Sequence, residues 1–212
     1  MEHTNWAARR REGGRGPTIT RQDGLGEIGR IAAATMRAMG AAMEPGTTTR
    51  EPDGIGRDPL EREEAVPAPR SSCGFPGATC IGVNEEIAHG VPGDRAIARG
   101  DLVDIDVSAS KDGYLADTGA SCRVPPTAPA LDRLCRDGRR AMRIGIAQVA
   151  GGKPLAGIGE AIGRFASRRN DTLVRNLASH GSAGRRTRIP GRSRPGPRMA
   201  TPAASTRPSC RP

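Results

Sequence analysis

Asp106 and Asp117 flank an Asp112-Gly113 pair that joins two extended runs, Asp101 to Ser108 and Tyr114 to Thr118. Two such runs around Asp-Gly predict a β-hairpin, because a type I′ turn needs positive φ at both central residues. With a two-residue turn, Lys111 faces Tyr114 and Ser108 faces Asp117. Side chains alternate along a strand, so Asp106 shares a face with Asp117. The two carboxylates are then diagonal neighbours with Cα atoms roughly 7–8 Å apart. Their side chains can converge further, to the span that holds two metal ions about 3.5–4 Å apart. Asp104 lies on the same face, one step further from the turn. Spacing alone also fits a solvated hairpin face. Against that, Leu102, Val103, Ile105 and Val107 make the segment apolar on both sides. A buried strand carries Asp side chains only if they are paired or bound to metal, and hard divalent ions suit carboxylate and imidazole donors.

Histidine is scarce. His3 lies in the N-terminal arm, His89 follows the apolar run Cys80 to Val83, and His180 ends the run Leu173 to Leu177. A histidine closing a strand is a common place for a metal ligand, although a lone histidine is as readily structural.

The elements that must position these residues are legible in outline. From Leu25, the residues Leu25, Ile28, Ile31/Ala32, Thr35/Met36, Met39 and Met43 fall at three- and four-residue steps and predict a helix, which Pro45-Gly46 stops. Thr48-x-x-Glu51 reads as a capping box opening a second helix over about 49–64. Pro59 falls in its interior, where a proline costs about 3 kcal/mol, so that helix is expected to be short or broken at Asp58. Cys80 to Asn84 reads as a strand. Two more helices are expected after the hairpin. One spans about 129–149, with Leu131, Leu134, Met142 and Val149 as its apolar face. The other spans about 155–169, with Leu155, Ile158, Ile162 and Phe165. Helix, Pro/Gly break and helix thus occur twice, a weak hint of duplication.

Composition limits the function classes. The chain of 212 residues suits one domain or one two-lobed domain. No apolar run is long enough for a membrane-spanning helix, and Met1 to Gly16 lacks a secretory signal pattern. A cytoplasmic address is the expectation. Five cysteines without a CxxC pair argue against a disulfide framework and a cysteine zinc site. The net charge of +10 suggests nucleic acid, but residues 17–180 balance 21 basic against 21 acidic residues. The excess sits in residues 1–16 and in the eight arginines of 181–212. Trp6, Phe75, Tyr114 and Phe165 are the only large aromatic residues, so the core must be built from aliphatic side chains. Residues 1–24 read as a disordered basic arm and 182–212 as a disordered Arg/Pro-rich tail.

Three stretches together resemble the type I methionine aminopeptidases, members of the M24 metallopeptidases. Gly74-Phe75-Pro76-Gly77-Ala78-Thr79-Cys80 through Asn84-Glu85-Glu86-Ile87-Ala88-His89-Gly90 looks like the family's substrate-side block. Gly100 to Val107 with Asp112 to Gly119 looks like its metal hairpin, and Val174 to Gly181 like the strand bearing its metal-binding histidine. Order and spacing hold over about residues 25–181. The resemblance implies an α+β pita-bread (creatinase/aminopeptidase-like) fold, a curved antiparallel sheet with helices on its outer face. It implies that Asp106 chelates one metal, Asp117 bridges two and His180 ligates the second. His89 would act near the scissile amide, and Phe75 and Cys80 would line the pocket for a methionine side chain. The implied activity is removal of the N-terminal methionine of nascent polypeptides by a metal-activated water, in a monomer working near the ribosome, with Co, Mn, Fe or Zn as the divalent cofactor.

The same comparison exposes departures. Residues 181–212 contain no Asp or Glu, and Thr187 stands where the family has a second histidine. Cys73 stands close to the place of a pocket tyrosine. Two of the family's five metal ligands are therefore missing, the second lobe is expected to be incomplete, and at most one metal is expected here. The abrupt change after Gly181 is what an out-of-frame translation would produce, and the neighbouring reading frames of the coding DNA test that. The alternative function is a non-catalytic pita-bread module that binds protein or ribosomal RNA through its basic ends.

Overall fold

The computed structural model describes residues 21–174 and 177. Both terminal segments, with His180 and the change of character after Gly181, lie outside the described residues. Helix α1 (Arg21–Ala41) opens the fold, four residues earlier than the apolar periodicity indicated. Its buried stripe of Ile28, Ile31, Ala32, Thr35 and Met39 follows the expected helical period. Helix α2 (Arg50–Arg62) follows, then a short strand β1 (Val66–Pro67) and a helix α3 (Ala68–Cys73), neither of which the sequence pattern announced. Strand β2 (Cys80–Val83) precedes the long hairpin of β3 (Leu102–Lys111) and β4 (Tyr114–Arg123). Helices α4 (Pro129–Ile146) and α5 (Ala156–Arg169) complete the described chain.

The strands form one antiparallel sheet in which β3 is central, with β1 and β2 along one side and β4 along the other. One face carries Val103, Ile105 and Val107, all fully buried, and packs on Ala32 and Met39 of α1 and on Met43 just after it. Ile81 and Val83 extend that core across β2. A second cluster joins Ile28 and Ile31 of α1 to Leu60 of α2 and Ala109 of β3. Aliphatic side chains therefore build the core, as the shortage of aromatics required.

Helix α2 is not broken at Asp58. It runs through Pro59 to Arg62, because tertiary packing holds what local propensity would release: Pro52, Asp53, Gly56 and Leu60 are buried along one side. Pro52 is harmless, since the first-turn N–H groups of a helix have no partner within it. The capping box is half formed. Glu51 accepts from the Thr48 backbone N–H at 2.6 Å and from the Thr48 hydroxyl at 2.8 Å, while the cap position itself is Thr49.

The last two helices depart further from expectation. Helix α4 ends at Ile146, and its predicted apolar face is open: Leu134, Met142 and Val149 are 44%, 54% and 66% exposed. The two helices bury their contact mainly against each other, where Gly145 gives room to Ile162 and Ile158. Leu173 and Val174 form no strand and are exposed. No described helix is long and apolar enough to cross a membrane.

Replacing Pro59 by Leu should restore a backbone donor inside α2 and raise stability by about 1–3 kcal/mol. Thermal melts of the two chains check this. An unchanged melting temperature would mean that the packing of Leu60 and Gly56 has already absorbed the local cost.

Candidate metal centre

The hairpin is built as its turn chemistry requires. Asp112 and Gly113 have φ of +52° and +86°, the two positive angles of a type I′ turn. The pairing runs Lys111 with Tyr114, Ser108 with Asp117 and Asp106 with Gly119. Asp104, Asp106 and Asp117 therefore share the face opposite the core. That face is more open than expected. Val103, Ile105 and Val107 all point into the core, which leaves Leu102 as the one apolar residue of that group on the carboxylate side. Asp106 is half-buried and Asp117 exposed.

Strand β2 adds the third wall. Cys80 pairs directly with Asp106, and directly opposed residues project to the same side of a sheet. Burial, then the charge of Asp117, a hydrogen bond between the two carboxyls and the charge of Asp104 push the Asp106 carboxyl up to about 7. The neighbouring charge disfavours ionisation of Asp106, which keeps its proton at mildly acidic pH. Burial pushes the Cys80 thiol up to about 12, helped by the charges of Asp106, Asp117, Asp53 and Asp104. Cys80 thus stays a neutral, soft, weakly polar wall. The Asp104 carboxylate is separately engaged by the Ser121 hydroxyl at 2.9 Å.

The segment before β2 carries Phe75, which is 7% exposed. What fixes this segment is Asp53, a residue the sequence reading did not single out. Its buried carboxylate accepts from the Ala78 N–H at 2.9 Å, the Thr79 N–H at 2.8 Å and the Thr79 hydroxyl at 2.8 Å. Arg57 lies 3.5 Å from its second oxygen. An acid in the first turn of a helix reads as a helix-dipole residue, and its real partners lie 25 and 26 positions downstream, so no local signal reveals it.

His89 sits on the loop after β2 with φ of +54°, beside Ala88 at +61°. Two successive non-glycine residues in the left-handed region are uncommon and are held by their surroundings. The constraint is visible. Gly90 accepts a hydrogen bond from the Ile81 N–H at 2.9 Å, and a side chain at Gly90 would sit 2.2 Å from the Ile81 carbonyl oxygen. The His89 side chain is exposed and makes no hydrogen bond or ion pair among the described residues. The fold thus brings Asp106, Asp117 and Cys80 together, sets Phe75 on the adjoining segment and presents His89 to solvent nearby along the chain. Among the described residues, no group of three His, Cys, Asp or Glu is arranged to hold a metal. The donors that are present fit a hard divalent cation in kind, since a cation between Asp106 and Asp117 would relieve the repulsion that keeps one of them protonated.

These features coincide with a known family. Residues 23–189 match the sequence profile of metallopeptidase family M24, and the chain belongs to that family. The matched region runs eight residues past Gly181. Among curated relatives, the chain is 45% identical over 158 residues to methionine aminopeptidase of Staphylococcus epidermidis, covering 74% of this chain and 63% of that one. It is 39% identical over 160 residues to methionine aminopeptidase 2 of Bacillus subtilis, covering 75% and 64%. The crystal structure of methionine aminopeptidase from Rickettsia prowazekii superposes with a TM-score of 0.73 at 32% identity, over 76% of this chain and 64% of that chain. The fold is therefore the pita-bread type, and the chain spans about 63% of the length of the relatives it matches.

The raised Asp106 carboxyl has a pH consequence. A carboxyl raised in the folded state favours folding fully below its ordinary value of 3.8, and that favour is lost as pH rises through about 7. In EDTA the urea midpoint should fall as pH rises from about 4 to about 7, the window this shift sets. The Asp106→Asn variant should lose most of that slope and be the more stable chain at the upper end. An unchanged slope would show that the two carboxyls do not repel in solution. Asp53→Ala should cost about 2–4 kcal/mol, because three buried donors lose their acceptor. It should also speed labelling of the Cys80 thiol by a disulfide reagent, and an unaltered labelling rate would count against the role of Asp53 in holding this segment.

Proposed function

We propose that this chain is the metal-binding and substrate-side part of a methionine-specific metalloaminopeptidase, acting on the N-terminal methionine of nascent polypeptides. The observation that carries this reading is the cross-strand juxtaposition of Asp106 and Asp117 on the open sheet face, with Cys80 directly beside Asp106. Asp106 and Asp117 would hold a divalent cation (Co, Mn, Fe or Zn), with His180 as the third donor. When bound, such a cation supplies Lewis-acid activation of water and of the scissile carbonyl.

The remaining steps belong to the chain's own side chains. Phe75 and the neutral Cys80 thiol give an apolar, polarisable wall that suits a thioether and rejects a charged side chain. His89 stands ready to hydrogen-bond the substrate near the scissile amide and to pass a proton to the departing amine. Its exposure and fixed backbone support that role better than a structural one, since a structural imidazole would be packed or bonded. With two carboxylates and one imidazole as donors, one cation would be held weakly, and activity is expected to be impaired in this chain.

Calorimetric titration with Mn²⁺ or Co²⁺ tests the first half of this reading, and release of methionine from a Met-Ala-Ser peptide tests the second. The expected result is one weak site per chain, lost in Asp106→Asn and Asp117→Asn, with slow, metal-dependent release. His89→Ala should slow release by about 10²–10⁴-fold while leaving metal affinity unchanged. Metal binding indifferent to both Asp substitutions would sink the assignment.

A further inference from the structure

The near-neutral balance of residues 17–180 hides a segregation of charge. Helix α4 carries Arg133, Arg136, Arg139, Arg140 and Arg143, and its two acids are already engaged. Asp132 pairs with Arg123 of β4. Asp137, buried between α4 and α5, accepts from Arg133 at 3.0 Å and from Arg169 at 3.0 Å. Arg133 also reaches Asp171 at 2.9 Å, and the Arg140 guanidinium lies over the Phe165 ring at 5.8 Å. Arg136, Arg139 and Arg143 are left exposed, with no carboxylate partner among the described residues. Together with Arg123, Arg140 and Arg169 they line an open groove of about 850 Å³.

Arg136, Arg139, Arg140 and Arg143 recur at intervals that put them on one helix face, over a rise of about 10 Å. Like charges at these intervals repel by a few tenths of a kcal/mol per pair, and the two acids that also line the groove, Asp132 and Asp137, are already paired with Arg123, Arg133 and Arg169. Guanidinium groups match phosphate oxygens in a two-pronged geometry that lysine lacks. No aromatic ring is free in the groove, since Phe165 is half-buried beneath Arg140, so unpaired bases have no stacking platform. From this charge complementarity and the lack of a stacking surface, we propose that the groove is a docking surface for the phosphodiester backbone of a double-stranded nucleic acid, read without regard to sequence. This surface lies in the folded body and is independent of the carboxylate site.

The test is fluorescence anisotropy of the full chain with a short labelled RNA duplex across a salt series. Each phosphate neutralised adds about −0.9 to the slope of log affinity against log salt. The triple variant Arg136→Gln, Arg139→Gln, Arg143→Gln should therefore flatten the slope by about 2.7 and weaken binding at least tenfold at low salt. The matching Arg→Lys triple variant, which keeps the charge, should retain most of the slope. Because residues 182–212 add eight arginines, a second chain with those eight changed to Gln separates the two sources, and it should still show the effect of the triple variant. Two results would overturn the proposal. In one, the triple variant binds like the parent while the tail variant loses all binding. In the other, a polyglutamate peptide or a single-stranded oligonucleotide binds the groove more tightly than the duplex, which would make the partner an acidic protein or an unpaired strand.

Discussion

The register of the β3–β4 hairpin is the constraint on which the rest of this molecule depends. It is set by two residues, Asp112 and Gly113, whose positive φ angles allow the tight turn. Once that turn is fixed, alternation decides every other assignment along the two strands. Val103, Ile105 and Val107 go to the helix side, and Asp104, Asp106 and Asp117 to the other. A slip of one residue would place three carboxylates against α1 and the valines in solvent, at a cost far above the few kcal/mol by which a domain is stable. The fold and the candidate site are thus specified by the same short stretch of chain.

A second constraint ties the substrate-side segment to that sheet. Asp53 reaches out of α2 to hold Ala78 and Thr79, and the chain enters β2 at Cys80 immediately afterwards. The position of Cys80 opposite Asp106 is therefore secured from both ends, by the ladder bonds to β3 and by a buried carboxylate. The clamp also accounts for the survival of α2 through Pro59. A helix that buries Leu60 and anchors a functional segment is retained by its tertiary contacts even where its own propensity is poor.

What could be read in the sequence was what depends on near neighbours. The hairpin pairing and the face of α1 follow from turn chemistry and a 3.6-residue period, and both match the structure, whereas the helix ends at Ala41, ahead of the expected stop at Pro45-Gly46. Asp53 was invisible because its partners are distant in the chain, and β1 was invisible because two residues pairing with Ser110 and Ala109 have no pattern of their own. Helix α2 was misjudged because a propensity argument cannot see Leu60 packing in the core. The carboxylate face was judged too apolar for the opposite reason. A run of aliphatic residues on β3 looks two-sided until the pleat is laid out, and then only Leu102 remains on that side. His180 lies outside the described residues, so its place beside the two aspartates rests on the family resemblance.

The two halves of the described chain are held together in different ways. The sheet with α1 and α2 is cohesive, with ten residues in one buried aliphatic cluster. Helices α4 and α5 join it through polar links such as Arg123 with Asp132, and through a limited contact with β4. Meanwhile Leu134, Met142, Ile146, Val149 and Leu155 remain 44–70% exposed, and each forgoes part of the about 1.5–3 kcal/mol that full burial would bring. The surface ion pairs that tie this unit to the sheet contribute little each. Local opening should therefore begin in α4 and α5, well below the free energy that opens the sheet. The arginine groove is lined chiefly by this looser pair, and the carboxylate site by the tighter sheet. Ligands at the two places would then act on different parts of the stability profile, a polyanion firming the helices and a cation firming the hairpin.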